Sequence, residues 1–250
     1  MTGPKNPLIS IVIPALNEVH NLPGLLRSLH GQGVAHEIIV VDAGSTDGTA
    51  DVAESFGASV IRTRPGRGLQ LAEGAGRARG EILLFLHADS AFPAGGLRAV
   101  EEALAADAEA PGGNFRLLFD GDDGFSRWLE GFYAWIRARG VYYGDSALFV
   151  RRSVYQRLGG IRPIALMEDF DFVRRMEKAG PTCCIHDPPL VTSSRRFLGR
   201  RPAAIVLGWL WVHGLFLLGV SPDRLARLYD SERRRDDARV TGALLRTRNR

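Results

Sequence analysis

The chain has 250 residues, of which 45% are hydrophobic and 24% are charged. These ordinary globular values exclude global disorder, and a chain of this length can bury roughly three quarters of its unfolded surface. Lys and Arg number 32 against 28 Asp and Glu, a net charge of +4 that is too mild to imply nucleic-acid binding. The adjacent Cys183 and Cys184 cannot form a disulfide framework or a zinc knuckle, and residues 1–7 lack a signal-peptide pattern. We therefore expect a cytoplasmic protein.

Short apolar strands and amphipathic helices alternate along the first hundred residues. Strands are predicted where β-branched residues and leucines run together, and helices where apolar residues recur at i, i+3, i+4 and i+7. The predicted strands are 9–13, 37–41, 59–62 and 81–86, and the predicted helices are 21–29, 49–56 (N-cap Asp47) and 69–79. This alternation indicates an α/β fold with a mostly parallel central sheet and helices on both faces.

The middle of the chain is less regular. Helices are predicted over 95–108, 125–139 and 167–179, and strands over 112–119 and 182–185. Because no internal repeat or convincing linker interrupts this part, we expect residues 1–199 to form one domain.

An apolar stretch at Ala203–Val220 follows, with arginines on both sides. It is slightly shorter than the about 20 residues that a helix needs to span a bilayer. We predict a C-terminal helical segment over 200–230 that packs on the domain, on a second subunit of a homodimer or on a membrane surface, and these alternatives stay open. The Arg-rich tail, 231–250, is predicted to be poorly ordered.

Polar residues directly follow three of the predicted strands. Pro14–Glu18 follows the first strand, Asp42–Thr49 the second and His87–Ser90 the fourth. In parallel sheets ligands bind beyond the carboxyl ends of the strands. Carboxylates there are costly to bury without a partner such as a nucleobase N–H, a ribose hydroxyl or a metal ion. Helix capping is the alternative for Asp42 and Asp47.

Four separate segments carry a shared pattern, and they are Val12–Glu18, Val40–Thr49, Phe85–Ser90 and Met167–Asp171. Together they resemble family 2 glycosyltransferases with the GT-A fold, and the resemblance runs from about Leu8 to Phe197. Gly66–Gln70 and the Phe-Leu-His-Ala-Asp run are most similar to a small cytosolic branch associated with arsenosugar biosynthesis and with radical-SAM/selenodomain gene neighbourhoods. The resemblance implies a Rossmann-like central sheet and transfer of a sugar from a nucleotide donor.

The resemblance also implies a nucleotide pocket. Asp42 would accept a hydrogen bond from the uracil N3–H, which favours a UDP donor, and Gly44 and Ser45 would let the backbone approach the nucleoside. Arg67 would reach the diphosphate, with Gln70 near enough in sequence to help, although a solvated surface role is the alternative for Arg67. The further residues assigned to this pocket are Pro14, Asn17, Glu18, His87 and Ala88.

The metal motif of the family is usually Asp-x-Asp, and in this chain His87 replaces the first aspartate. Asp89, the second, would bind Mg²⁺ or Mn²⁺ together with the diphosphate. Both ions prefer oxygen ligands, and Mn²⁺ tolerates imidazole better than Mg²⁺ does. His87 could therefore be a metal ligand, a ribose contact or a packed residue.

Glu168 and Asp169 match the family's acidic pair at the start of a helix, where the helix dipole also favours carboxylates as caps. The resemblance implies that Asp169 is the general base of a single displacement with inversion. Glu168 would hold acceptor hydroxyls or orient Asp169. Arg195 and Arg196 could close over the phosphates or form a solvated basic patch.

We therefore expect an inverting glycosyltransferase that moves a hexose from a UDP-sugar to a small soluble acceptor, assisted by Mg²⁺ or Mn²⁺. No nucleic acid is expected as a partner. Three other functions stay open. They are a membrane-surface transferase with a polyprenyl phosphate or other lipid acceptor, a sugar-phosphate nucleotidyltransferase, and a non-catalytic nucleotide-sugar binder.

Overall fold

A computed structural model describes residues 8–194, 197 and 201–229 of the chain. These residues divide into two compact units, the first within 8–163 and 168–193 and the second within the remainder. The domain limits expected from the sequence stay a prediction. Arg195, Arg196 and the tail 231–250 lie outside the described residues.

The first unit contains one eight-stranded sheet. Its strands are β1 (Ile9–Ala15), β2 (His36–Asp42), β3 (Ser59–Arg62), β4 (Ile82–Phe85), β5 (Ser90–Ala91), β6 (Gly112–Phe119), β7 (Leu148–Arg151) and β8 (Cys183–Thr192). Their order is β3-β2-β1-β4-β7-β6-β8-β5. Four pairings are parallel: β1 with β2, β1 with β4, β2 with β3, and β6 with β8. Three pairings are antiparallel: β4 with β7, β6 with β7, and β5 with β8. The mostly parallel sheet confirms the predicted α/β fold.

Seven helices of the first unit surround this sheet, and an eighth belongs to the second unit. They are α1 (Leu22–Leu29), α2 (Thr49–Ser55), α3 (Arg67–Arg77), α4 (Gly96–Ala106), α5 (Gly124–Arg137), α6 (Arg152–Arg157), α7 (Glu168–Ala179) and α8 (Pro202–Leu217). The sequence analysis missed β5, β7 and α6. The N-cap of α2 is Gly48 rather than Asp47, which still accepts a hydrogen bond from the Thr49 N–H at 3.0 Å.

The helix α3 lies close to the central strands because Gly74 has no side chain. A Cβ at this position would lie 2.4 Å from Cγ1 of Val12 and 2.9 Å from Cγ2 of Val41, and both valines are fully buried. We expect Gly74→Ala to overpack this contact and to lower the free energy of unfolding by about 1–3 kcal/mol, as measured by urea denaturation.

Gly76→Ala is the matched control on the same helix, because a Cβ there would meet nothing within 4 Å. Alanine favours helices over glycine, so this control should stabilise the protein by up to about 1 kcal/mol. Equal unfolding free energies for the two variants would contradict the close approach of α3 to the sheet.

The second unit contains α8 and a further helical segment at 222–229, in agreement with the predicted C-terminal helical segment. α8 has no charged residue, and Phe197 packs edge-on against Trp209 with the ring centroids 5.8 Å apart. Five large apolar side chains in or next to α8 are 60–82% exposed, and they are Leu207, Leu210, Trp211, Leu217 and Leu218. Within the described ranges, no helix combines the length and apolar character needed to cross a membrane.

Candidate active site

The ends of several strands meet at one edge of the sheet. Ala15 and Asp42, the last residues of β1 and β2, are paired in register. β4 lies on the other side of β1, and the segment His87–Ser90 follows it. β7 runs antiparallel to β4, so the 3₁₀ turn Gly144–Ser146 that precedes β7 comes to the same edge. The strand-end loops predicted to carry the site therefore share one edge with this turn.

Hydrogen bonds join the loop after β1 to the loop after β2. The Asn17 N–H donates to Ser45 Oγ at 2.9 Å, and the Thr46 N–H donates to Asn17 Oδ1 at 3.0 Å. The Glu18 N–H donates to Thr49 Oγ1 at 2.8 Å. The structure thus brings together Asn17, Glu18 and Ser45, three of the residues assigned to the nucleotide pocket.

Asp42 is buried at the end of β2, next to these two loops. Its carboxylate accepts hydrogen bonds from the backbone N–H of Gly44 at 3.2 Å and of Ser45 at 3.1 Å, and from the Ser45 hydroxyl. Gly44 adopts a φ of 86°, which glycine tolerates without strain. These bonds fix the position of the carboxylate at the end of β2.

Pro14 and Ala88 hold backbone positions at the same edge. Pro14 is the second-last residue of β1 and is in register with Val41 of β2. Ala88 is 4% exposed on the segment after β4. Neither carries a side chain that could exchange protons, so any contribution of theirs to a pocket is one of shape.

Gln70 has a different position from the one we expected. Its side-chain amide donates to the carbonyl oxygens of Ala15 at 3.0 Å and of Val41 at 2.8 Å, and the residue is buried. These bonds use both of its N–H groups, so no donor remains for a phosphate. The suggestion that Gln70 helps to bind a diphosphate is therefore corrected: this side chain holds the ends of β1 and β2 together.

A second group of site residues surrounds the N-termini of α3 and α7. Arg67 is the first residue of α3, and Glu168 and Asp169 are the first two of α7. The Arg67 guanidinium binds both carboxylates, with Nε donating to Glu168 and Nη2 donating to Asp169 Oδ2 at 3.1 Å. The backbone N–H groups of Gly144 and Phe170 also donate to Asp169, at 2.9 and 2.7 Å. Arg67, predicted for the diphosphate, is therefore in direct contact with the predicted acidic pair.

The surroundings of Glu168 and Asp169 move their pKa values in opposite directions. Burial raises the pKa of Glu168, although the positive charge of Arg67 opposes this shift. Burial acts in the same direction on Asp169, but the charge of Arg67 and the backbone N–H of Gly144 outweigh it and hold the pKa of Asp169 below its ordinary value. Neighbouring carboxyl groups whose pKa values diverge in this way are typical of acid–base sites, and Asp169 is the one whose pKa is lowered.

Asp145, from the turn before β7, lies beside this cluster. The Tyr133 hydroxyl, from the buried face of α5, donates to Asp145 Oδ2 at 3.1 Å. Burial lowers the pKa of Arg67, yet Asp169, Glu168 and Asp145 together raise it above its ordinary value. The sequence analysis missed Tyr133 because a tyrosine on the apolar face of a helix is indistinguishable from an ordinary core residue.

His87 lies next to the acidic pair. A Cβ on Gly144 would be 3.6 Å from His87 Nε2 and 3.3 Å from Asp169 Oδ2, so the imidazole and the carboxylate both border this glycine. Asp89 follows two residues later and is partly exposed. Across the part of the chain that the structure describes, no three His, Cys, Asp or Glu side chains are grouped to hold a metal ion. One or two protein ligands nevertheless suit a divalent cation that substrate phosphates complete, and Asp89 has the oxygen chemistry for this role.

Comparison with known proteins identifies a family and several relatives. Residues 10–157 match the family described as glycosyl transferase family 2. The 4,4'-diaponeurosporenoate glycosyltransferase of Staphylococcus haemolyticus is 38% identical over 95 residues, which are 35% of this chain and 25% of that protein. Glucosyl-3-phosphoglycerate synthase of Mycobacterium tuberculosis is 34% identical over 96 residues, which are 34% of this chain and 30% of that protein. The chain therefore matches less than a third of either relative.

Solved structures share the fold over a longer part of the chain. TarS of S. aureus superposes with a TM-score of 0.62 at 16% identity, covering 83% of this chain and 39% of that one. Glucosyl-3-phosphoglycerate synthase from Mycobacterium tuberculosis, in complex with Mn²⁺, UDP and glucosyl-3-phosphoglycerate, superposes with a TM-score of 0.57 at 20% identity, covering 81% and 75%. These similarities confirm the expected GT-A-like fold. Because the family match spans more than half of its residues, this chain belongs to glycosyl transferase family 2.

Proposed function

We propose that this chain is an inverting glycosyltransferase that transfers a hexose from a UDP-sugar to a small acceptor. The observation that carries this proposal is Asp169, a buried carboxylate held by Arg67 and by the Gly144 N–H at the sheet edge where nucleotides bind in parallel sheets. Asp42 and Asp89, from other segments at this edge, would contact the uracil and a diphosphate-bound cation. The shared edge supports these roles, which come from the family resemblance.

The proposed reaction is a single displacement at C1 of the sugar. The acceptor oxygen attacks C1 from the face opposite the diphosphate, and its proton moves to the Asp169 carboxylate as the new C–O bond forms. The bond from C1 to the β-phosphate oxygen breaks, and its electron pair leaves with UDP. The backbone N–H of Gly144 keeps the Asp169 carboxylate oriented during this transfer.

Charge on the departing diphosphate would be balanced by two cationic groups. Asp89 would hold Mg²⁺ or Mn²⁺, with His87 as the adjacent donor, and the ion when bound neutralises the oxygens of the leaving group. Arg67 would supply the second cation, because a guanidinium donates two parallel hydrogen bonds to phosphate.

The relatives support the donor, the metal and the size of the acceptor. The Mycobacterium tuberculosis synthase structure contains Mn²⁺, UDP and glucosyl-3-phosphoglycerate, and a TarS structure contains UDP-GlcNAc. The resemblance to the branch associated with arsenosugar biosynthesis also favours a modified metabolite over a polysaccharide as acceptor.

A donor panel tests the proposal. The protein is incubated with UDP- and GDP-sugars and Mn²⁺ without acceptor, and the released nucleotide is measured. We expect slow hydrolysis of a UDP-hexose that EDTA abolishes, and no reaction with GDP-sugars. Hydrolysis of GDP-sugars alone would contradict the role of Asp42. Release of pyrophosphate from UTP and a sugar phosphate would instead identify a nucleotidyltransferase. A UDP-induced rise in melting temperature without turnover would identify a non-catalytic binder.

A lipid acceptor is the second candidate, and the exposed apolar side chains of α8 favour it. Apolar helical surface flanked by arginines, here Arg201, Arg224 and Arg227, suits the interface of an anionic bilayer. If this candidate is correct, the protein should sediment with phosphatidylglycerol vesicles, and Trp211→Glu should release it. Failure to sediment would leave the small soluble acceptor as the remaining candidate.

A further inference from the structure

The ion pair between Arg67 and the acidic pair joins a partly exposed cation to buried anions. The Arg67 side chain is 39% exposed, whereas the side chains of Glu168 and Asp169 are 2% and 7% exposed. The carboxylates are fixed in the protein, while the long arginine side chain borders open space. Of the three groups, Arg67 is therefore the one that can change its partner.

The carboxylates keep other stabilising contacts when Arg67 leaves. Asp169 retains the backbone N–H groups of Gly144 and Phe170. Both acidic residues also lie in the first turn of α7, where the helix dipole stabilises negative charge. Burial raises the pKa of Glu168, which favours its uncharged form.

The same ion pair conflicts with the proposed chemistry if it persists in the donor complex. The edge of the Arg67 guanidinium that carries Nε and Nη2 is occupied by the two carboxylates, so this edge cannot at the same time donate two parallel hydrogen bonds to a diphosphate. A carboxylate whose pKa is held low by an arginine is also a poor acceptor for a proton, because general bases work best when their pKa lies near the operating pH. Departure of Arg67 would relieve both conflicts.

We propose that Arg67 exchanges partners when the donor binds, and that Glu168 is the positioning residue that holds it beforehand. This inference rests on the proposed function. In the free protein, Arg67 is paired with Glu168 and Asp169. In the donor complex, its guanidinium binds the diphosphate and leaves Asp169 free to accept the acceptor's proton.

The exchange makes UDP compete with Glu168 for Arg67. Removing that competitor should therefore strengthen UDP binding. We expect Glu168→Gln to tighten UDP by about fivefold or more in titration calorimetry with Mn²⁺. Arg67→Ala should weaken UDP by about tenfold or more, since a charge-assisted hydrogen bond is lost.

A double-mutant cycle separates partner exchange from simple charge repulsion. With Arg67→Ala as background, Glu168→Gln should no longer tighten UDP. Uridine, which has no phosphate, should bind all four proteins equally. Asp171→Asn is the matched control on α7, because Arg162 and Arg175 bind that carboxylate instead, and it should leave UDP affinity unchanged.

Two results would overturn the exchange while leaving UDP binding intact. One is equal tightening by Glu168→Gln with and without Arg67, which indicates repulsion alone. The other is no tightening in a variant that melts at the wild-type temperature. If Glu168→Gln does not fold, Asp169→Asn removes the second partner of Arg67 and takes its place in the cycle. If the wild-type protein binds no UDP, the proposed function fails and this inference fails with it.

Discussion

Asp169→Asn should lower transfer activity by about 10²-fold or more without weakening UDP binding. The amide cannot accept the acceptor's proton, but it has nearly the same shape as the carboxylate. Its oxygen can still accept the hydrogen bond that the Gly144 N–H donates at 2.9 Å. Initial rates with the donor found in the panel, together with UDP affinity from calorimetry, measure the two effects separately.

Asp171→Asn is the control for this experiment, because it makes the same chemical change two residues later on α7. Its carboxylate is engaged by Arg162 at 3.1 Å and by Arg175 at 2.7 Å. We expect near-normal transfer by this variant. Normal turnover by Asp169→Asn would remove Asp169 from the mechanism, and equal losses in both variants would indicate a structural effect on α7.

Asp89→Ala should abolish the part of UDP affinity that depends on Mn²⁺. Asp89 is the carboxylate assigned to the cation, and the described residues around it offer no cluster of three ligands that could replace it. Without that oxygen ligand, the ion is held by the diphosphate alone and no longer connects UDP to the protein. Calorimetry with UDP, in Mn²⁺ and in EDTA, gives the metal-dependent difference directly.

Asp122→Ala is the control for loss of negative charge, because that carboxylate is fully exposed and pairs with Arg127. In this variant, Mn²⁺ should increase the affinity for UDP by the same factor as in the wild-type protein. If Mn²⁺ still increases the UDP affinity of Asp89→Ala, Asp89 is not the metal ligand, and His87 becomes the next residue to substitute.

The parallel half of the sheet could be predicted from the sequence because local signals agree there. β1 and β4 are short buried runs, the second half of β2 is buried, and the helix α1 buries a stripe of four leucines, whereas β3 is partly exposed. The antiparallel part could not be predicted in the same way. β7 passes directly into α6, with Arg151 as the N-cap and no turn residue between them, so the sequence carries no boundary signal.

The length of β8 was underestimated for a physical reason. Two prolines, Pro188 and Pro189, argue against a continuous strand because proline cannot donate to the ladder. In the structure, both prolines lie where the register between β6 and β8 shifts. Phe115 lies opposite Ile185, but Leu117, only two residues later, lies opposite Leu190. Prolines are tolerated at such bulges, which only the pairing with β6 reveals.

The candidate site shows the same division between local and long-range information. The strand-end segments and the acidic pair are recognisable in the sequence, since their residue types recur at defined positions. The contact of Arg67 with Glu168 and Asp169 is not recognisable in the sequence, because it joins the N-termini of two helices that are about a hundred residues apart in the chain. Gln70 was assigned to the diphosphate because it is near Arg67 in the sequence. Its side chain is buried in the structure, which excludes that role.

A crystal structure with UDP and Mn²⁺ tests most directly whether one edge of the sheet binds a pyrimidine diphosphate through a cation. We expect the anomalous signal of manganese beside the Asp89 carboxylate, the uracil N3–H on Asp42, and the Arg67 guanidinium on the diphosphate. Nucleotide density away from this edge, or manganese bound without Asp89, would contradict the account.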